Sequence, residues 1–219
     1  MEKSMIISKP LFIAVEGIDG VGKTTVVGIL HKVLNDRDIK NVPGKGLGST
    51  KISSIIREEL LSGKKDDQYE VLGMLFSLLD CYRNFIQPSI ENGVSVVLDR
   101  YIASYYAYQA HGRNSIRAKN YLLDTFYGKH IQPDVFINVT ASPEITAERL
   151  DKRETDINHF DLEVDSFKSR VLKGFDEFLQ TNEVYTHIYK KIPVVNIVNN
   201  GSIEDLETQL TEIVKGLTQ

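Results

Sequence analysis

The chain has 219 residues, 42% hydrophobic and 26% charged, a balance that suits one compact α/β domain and leaves little room for a second. Its single cysteine, Cys81, excludes an internal disulfide, and without a Cys/His cluster at ligand spacing neither zinc nor iron–sulfur chemistry is expected; a reducing, cytoplasmic setting follows. A net charge of -4 with no long Lys/Arg run argues against a nucleic-acid surface, and the apolar run Met5–Ile7 is too short to enter or span a membrane, so a small anionic ligand is the expected partner.

The first predicted element is a short buried strand, Leu11–Glu16, which breaks at Gly17. The next residues, Gly17-Ile18-Asp19-Gly20-Val21-Gly22-Lys23-Thr24, match Gly-x-x-x-x-Gly-Lys-Thr and open a helix, Thr24–Leu34, as phosphate cradling requires. Glycines let successive N–H groups turn toward phosphate oxygens, and the helix adds the positive end of its dipole. Lys23 then supplies a mobile charge to the β- and γ-phosphates, and the Thr24 hydroxyl is placed to hold Mg²⁺. Asp19 faces a polyanion, so it either accepts from a sugar hydroxyl, helps hold the metal shell, or points to solvent.

Ile39–Thr50, interrupted by Pro43, Gly44, Gly46 and Gly48, reads as a strand end plus loop. Helical patterns follow at Lys51–Leu61 and Tyr69–Ile90, the second with Leu72, Leu75, Phe76, Leu79 and Tyr82 along one side. The strand Val94–Leu98 runs into Asp99-Arg100-Tyr101. Here Arg100 can clamp a phosphate bidentately, while Asp99 either fixes that guanidinium or reaches Mg²⁺ through water. Ser104 and Tyr108 share a helical face beside Arg100, and Tyr108 with Gln109 suits a nucleoside, although Tyr-rich helices are also ordinary packing elements.

A helix at Ala118–Tyr127 precedes the strand Val135–Val139. Ser142–Pro143 then starts a helix that carries Arg149 and Arg153 one turn apart. The polar residues Glu154–His159 after it have lid composition, and closing arginines would align and neutralise a transferring phosphoryl group. Phe160–Leu179 is helical again, Pro193–Val198 is the last strand, and Ile203–Leu217 the last helix. The order predicts an α/β, doubly wound, roughly five-stranded parallel sheet with helices on both faces. It forms one domain over residues 1–219, with ligands at the carboxyl ends of the strands and a mobile lid at about 150–162.

These motifs together resemble thymidylate kinases of the nucleoside monophosphate kinase group, over nearly the whole chain. The markers are Phe12 through Thr25, then Asp99-Arg100-Tyr101 with Ser104 and Ala107-Tyr108-Gln109, Pro133-Asp134 before a strand, and Pro143-Glu144 opening the arginine-bearing helix. The resemblance implies a P-loop nucleoside triphosphate hydrolase fold, ATP with Mg²⁺ as donor, dTMP as acceptor, dTDP as product, and a homodimer. It assigns Gly17 to Thr25 to ATP, Thr24 and Asp99 to the metal, Asp19 to the acceptor sugar and Arg100 to the acceptor phosphate, with Ser104 among the acceptor-binding residues. Tyr108 and Gln109 fall to the sugar and base, and Phe76 to the base. With Gly20 and Val21 where some relatives carry a loop arginine, the catalytic charge falls to Arg149 and Arg153, beside Lys23.

Four departures touch the acceptor side or lid. Asn41-Val42-Pro43-Gly44 replaces Arg-Glu-Pro-Gly; the base-reading arginine position falls on Asp80 or Cys81, with Arg83 as a substitute; Tyr105 replaces a small or amide residue; and Asn158-His159-Phe160-Asp161 replaces Asp-Arg-Phe-Glu. Two alternatives follow: a related kinase with another or a broader set of nucleoside monophosphate acceptors, and an ATP-dependent binding module without transfer.

Overall fold

In the computed structural model, residues 9–63, 66–126, 132–152, 160, 163–181 and 192–218 are described. Strand β1 (Phe12–Glu16) is fully buried and pairs in parallel with β3 (Ser95–Asp99) on one side and β4 (Val135–Thr140) on the other. Strands β2 (Asn41–Lys45) and β5 (Val194–Val198) extend the sheet at its edges, giving the order β2-β3-β1-β4-β5, all parallel. The residues read as a strand end plus loop therefore include a full edge strand. Pro43 is tolerated there because only one side of β2 is paired.

Alternate residues of the central strands feed two cores, as the pleat demands. Ile13, Val15, Val97 and Ile137 face α1 (Lys23–Asn35) and the C-terminal helix α9 (Ile203–Leu217). Phe12, Ala14, Val96, Leu98 and Phe136 face the opposite layer. That layer contains α3 (Asp67–Cys81), α6 (Ile116–Phe126) and α8 (Asp165–Asp176). The short helix α4 (Gln87–Glu91) continues α3 through a π turn, Tyr82–Ile86, and α5 (Ile102–Tyr105) continues through another, Tyr106–Gly112. Helix α2 (Lys51–Leu61) begins at a reciprocal cap between Thr50 and Ser53 and packs on α3. Helix α7 (Pro143–Asp151) starts at Ser142, whose hydroxyl accepts from Ile145 N at 3.3 Å.

The buried side of α3 differs from the expected apolar stripe. Glu70, Val71, Met74, Ser77, Leu78, Asp80 and Cys81 face inward, whereas Leu72 and Phe76 are exposed. The inward side is mixed because two of its carboxylates have dedicated partners: Arg113 with Gln109 for Glu70, and Thr50 with Asn84 for Asp80. Of the expected stripe Tyr82 is in the core and Leu75 packs against it, so hydrophobic spacing alone places only part of the face correctly.

Candidate active site

β1 delivers a carboxylate, Glu16, and then the glycine loop. Gly17 (φ 140°) and Gly22 (φ 92°) hold backbone shapes closed to most L residues; an added Cβ would lie 2.3 Å from Val139 O and 2.4 Å from Asn199 Nδ2. No side chain caps the start of α1, which leaves its first N–H groups for an anion. The loop is braced from behind: Asn199 Nδ2 donates to Val21 O at 2.8 Å, and Arg149 of α7 donates to the same oxygen at 3.3 Å. Ile18, Asp19, Gly20 and Val21 make up the rest of the loop, and Thr24 and Thr25 are exposed in the first turn of α1.

Lys23 Nζ donates to Ile18 O at 2.6 Å and lies 4.0 Å from Asp19 Oδ1. Burial, reinforced by the Arg100 charge, pushes its ammonium down to about 8 against the pull of Asp19, Asp99 and Glu16. Thr24 Oγ1 donates to Asp99 Oδ2 at 3.0 Å, while Asp99 Oδ1 is buried with no hydrogen bond among the described residues.

Arg100 leaves β3 with φ 67°, an uncommon shape for a residue with a side chain, and its N–H donates to Val15 O at 2.9 Å. Its guanidinium turns back over the glycine loop. It meets Asp19 Oδ1 at 2.7 Å, Gly17 O at 3.2 Å and Ser104 Oγ at 3.0 Å, and sits 5.2 Å from the Tyr108 ring centroid. Tyr108 donates to Asp19 Oδ2 at 2.8 Å. Burial disfavours the Asp19 carboxylate, but Arg100 and Lys23 outweigh it and hold the group well below its usual range. Conversely, burial raises the Tyr108 phenol, and Asp19 raises it further.

Glu16 organises this turn from beneath. Fully buried, it accepts from Tyr101 N at 2.9 Å, Ala103 N at 3.2 Å and Ser104 Oγ at 2.6 Å. Desolvation nonetheless raises its pKa.

A cleft opens beside Asp19 and Arg100. Ser104, Tyr108 and Gln109 line one wall, and Leu47, Leu61, Met74 and Leu78 another, with Arg57, Tyr105 and Phe160 completing it. Thus the glycine loop and Arg100 open on one crevice, at the carboxyl ends of β1 and β3, where doubly wound sheets bind ligands. The chain also matches the family model described as thymidylate kinase over residues 15–200.

The chain belongs to the thymidylate kinase family. A thymidylate kinase of Caldicellulosiruptor saccharolyticus is 32% identical over 216 residues, which cover 95% of this chain and 98% of the relative. One from Buchnera aphidicola is 31% identical over 178 residues, covering 79% and 84%. One from Francisella tularensis is 28% identical over 205 residues, covering 91% and 92%.

Phe76 does not line the cleft; it is 52% exposed, because two residues along a helix turn a side chain to the far side from Met74 and Leu78. Those two, four residues apart, occupy the cleft face in its place. Asp80 and Cys81 are buried outside the cleft lining, Cys81 with its thiol pushed up to about 12 by burial, and Arg83 is exposed. Arg149 touches the glycine loop, whereas Arg153 and most of the expected lid, residues 153–159 and 161–162, lie outside the described residues.

Sequence reasoning passed over Glu16, although a carboxylate ending an otherwise apolar strand is a readable signal. Asn199, in the polar turn after the last strand, and a lone Arg57 on a helix gave no signal at all.

Proposed function

We propose that this chain transfers the γ-phosphoryl group of ATP to dTMP, giving dTDP and ADP. The observation that carries the reading is the 2.7 Å contact between Asp19 and Arg100, which joins the phosphate loop to the acceptor cleft. In this reading Gly17 to Thr25 hold the triphosphate and Lys23 neutralises its β- and γ-oxygens. Arg100 and Ser104 hold the acceptor phosphate, Asp19 its sugar, and Tyr108 and Gln109 the sugar and base edge. An oxygen of the dTMP phosphate attacks the γ-phosphorus while the bond to the β-phosphate oxygen breaks. Positioning and charge do the catalytic work, with Arg149, and Arg153 from the sequence, as further cations. The Thr24 hydroxyl and the unbonded Asp99 oxygen suit Mg²⁺, which keeps several waters and takes few protein oxygens; bound, it would neutralise phosphate charge.

We further infer a homodimer in the cytoplasm. Supporting it, Tyr69, Leu72 and Phe76 form an exposed apolar stripe on α3, and Ile52 and Ile55 are exposed on α2, which packs on α3. Sedimentation of the purified chain as a monomer at micromolar concentration would remove that inference.

The activity is tested by following ATP consumption against dTMP, dUMP, UMP, CMP and dGMP. The highest kcat/KM is expected with dTMP. Equal values across the set would favour a broad acceptor range, and ATP binding without any turnover would favour the binding module.

A further inference from the structure

Behind the cleft wall lies an ionic cluster that the proposed reaction does not use directly. Arg113, at the end of the second π turn and 6% exposed in its side chain, grips Glu70 of α3 side-on, with Nε to Oε1 at 3.1 Å and NH2 to Oε2 at 2.8 Å. Its remaining terminal nitrogen bonds Glu163, and Asp67 lies 3.8 Å from Nε. The guanidinium is enclosed by Phe167 at 4.6 Å and Phe160 at 5.5 Å from the ring centroids. Glu70, 0% exposed, also reaches toward the cleft: its Oε1 accepts from Gln109 Nε2 at 3.1 Å.

That contact settles which way the Gln109 amide faces. A carboxylate held by a guanidinium only accepts hydrogen bonds, so the NH₂ of Gln109 must turn toward Glu70. The amide oxygen Oε1, which makes no hydrogen bond among the described residues, is then the atom left for the cleft that Gln109 lines. A carbonyl oxygen accepts from a ring N–H, as in the imide edge of thymine or uracil. It repels the bare ring nitrogen at the same place in cytosine. The second amide hydrogen remains for the neighbouring ring carbonyl.

From this we propose that Glu70 and Arg113 are positioning residues for acceptor selection, fixing the Gln109 amide so that the cleft takes imide-bearing pyrimidine monophosphates and rejects cytosine ones. The aliphatic wall sharpens the effect. Met74 and Leu78 have no group that reads a base edge, so the amide carries that task with few helpers. The proposal rests on the acceptor cleft assigned above, and its test separates the two.

The experiment measures Kd for dTMP and dCMP by calorimetry without ATP, and kcat/KM for both at saturating ATP. It compares the wild-type chain, E70Q, and the double variant E70M/R113M. The double variant removes both buried charges together, so neither is left unpaired. In wild type dTMP is expected to be favoured in both measurements. In E70M/R113M the dTMP:dCMP ratio is expected to fall about tenfold, with dTMP weakened, dCMP improved and the KM for ATP unchanged. E70Q, whose amide no longer presents acceptors alone, should move the ratio the same way by a smaller factor.

A wild-type chain that binds the two nucleotides equally would overturn the relay, and so would a double variant that weakens both by the same factor, as a merely structural role predicts. Preferential dTMP binding without phosphoryl transfer would instead defeat the kinase reading and leave the relay supported. If the double variant does not fold, judged by its circular dichroism, an unchanged ratio in folded E70Q overturns the proposal on its own.

Discussion

Removing the carboxylate at position 16 separates the roles of charge and hydrogen bonding beneath the site. Glu16→Ala strands the N–H groups of Tyr101 and Ala103 and the Ser104 hydroxyl in a fully buried place. Each unsatisfied group costs about 1–3 kcal/mol, so three cost roughly 3–6 kcal/mol after partial relaxation. That is a large part of the ~5–15 kcal/mol that holds a domain folded, and at about 2–4 °C per kcal/mol for this size the melting temperature falls on the order of 10 °C. Glu16→Gln should behave differently. One amide oxygen still accepts from the two backbone N–H groups, Ser104 can accept from the new NH₂, and the desolvation that raises the Glu16 pKa disappears. A loss under about 1.5 kcal/mol is expected. Urea denaturation followed by circular dichroism gives both values, and dTDP formation at 15 °C then reports whether the Arg100 turn has loosened. An alanine variant as stable as wild type, or a glutamine variant as damaged as alanine, would refute the reasoning.

Other expectations follow from the same geometry. Lys23→Ala and Arg100→Ala should each lower kcat/KM by orders of magnitude, because each removes a charge aimed at reacting phosphates; unchanged dTDP formation would sink either assignment. Lys23 holds its proton less tightly in the fold than in the unfolded chain, so it weakens the fold below about pH 8 and ceases to do so as pH rises toward its ordinary value of 10.5. A bound polyphosphate reverses that shift, so ATP affinity should fall as pH rises past 8 with proton uptake on binding; equal calorimetric heats in two buffers of different ionisation enthalpy would contradict this. Asn199→Ala leaves Val21 O, among the described residues, with the longer bond from Arg149 and should raise the KM for ATP several-fold while sparing that for dTMP. Finally, dTMP and dUMP share every polar edge, so kcat/KM should differ by about 10- to 200-fold at most, the range one buried methyl supplies. A ratio of one would mean that the methyl points out of the aliphatic wall.

The phosphate loop was legible because its chemistry demands residue types at fixed spacing directly after a strand, and Arg100 because a strand end so close to that loop has few other uses for a guanidinium. Helix α3 was not. Its exposed apolar residues, Leu72 and Phe76, suggest an inward face that its partnered carboxylates share with Met74 and Leu78, the two α3 residues that line the cleft. Edge strand β2 was obscured by Pro43 and Gly44, which an edge accepts and a central strand does not. Glu70 and Arg113 lie 43 residues apart in sequence, and nothing local in the chain reveals that they meet.

Two wall types in one cleft divide the work of recognition unequally. The polar wall comes from residues that follow β3 directly, so Arg100, Ser104, Tyr108 and Gln109 are all referenced to the rigid sheet through Glu16 and the Val15–Arg100 backbone bond. The aliphatic residues Leu47, Leu61, Met74 and Leu78 come from α2, α3 and the β2–α2 loop, and contribute area without direction. Area is tolerant of shape, since one methylene changes affinity by only about 1–3 kcal/mol, whereas a misdirected buried hydrogen bond excludes a ligand far more strongly. Where α3 offers no polar atom to the base, the direction of the Gln109 amide sorts imide edges from cytosine edges in the proposed relay. That direction is imposed by Glu70 and Arg113, which stand outside the cleft lining, so acceptor choice in this chain is set one layer behind the surface the nucleotide touches.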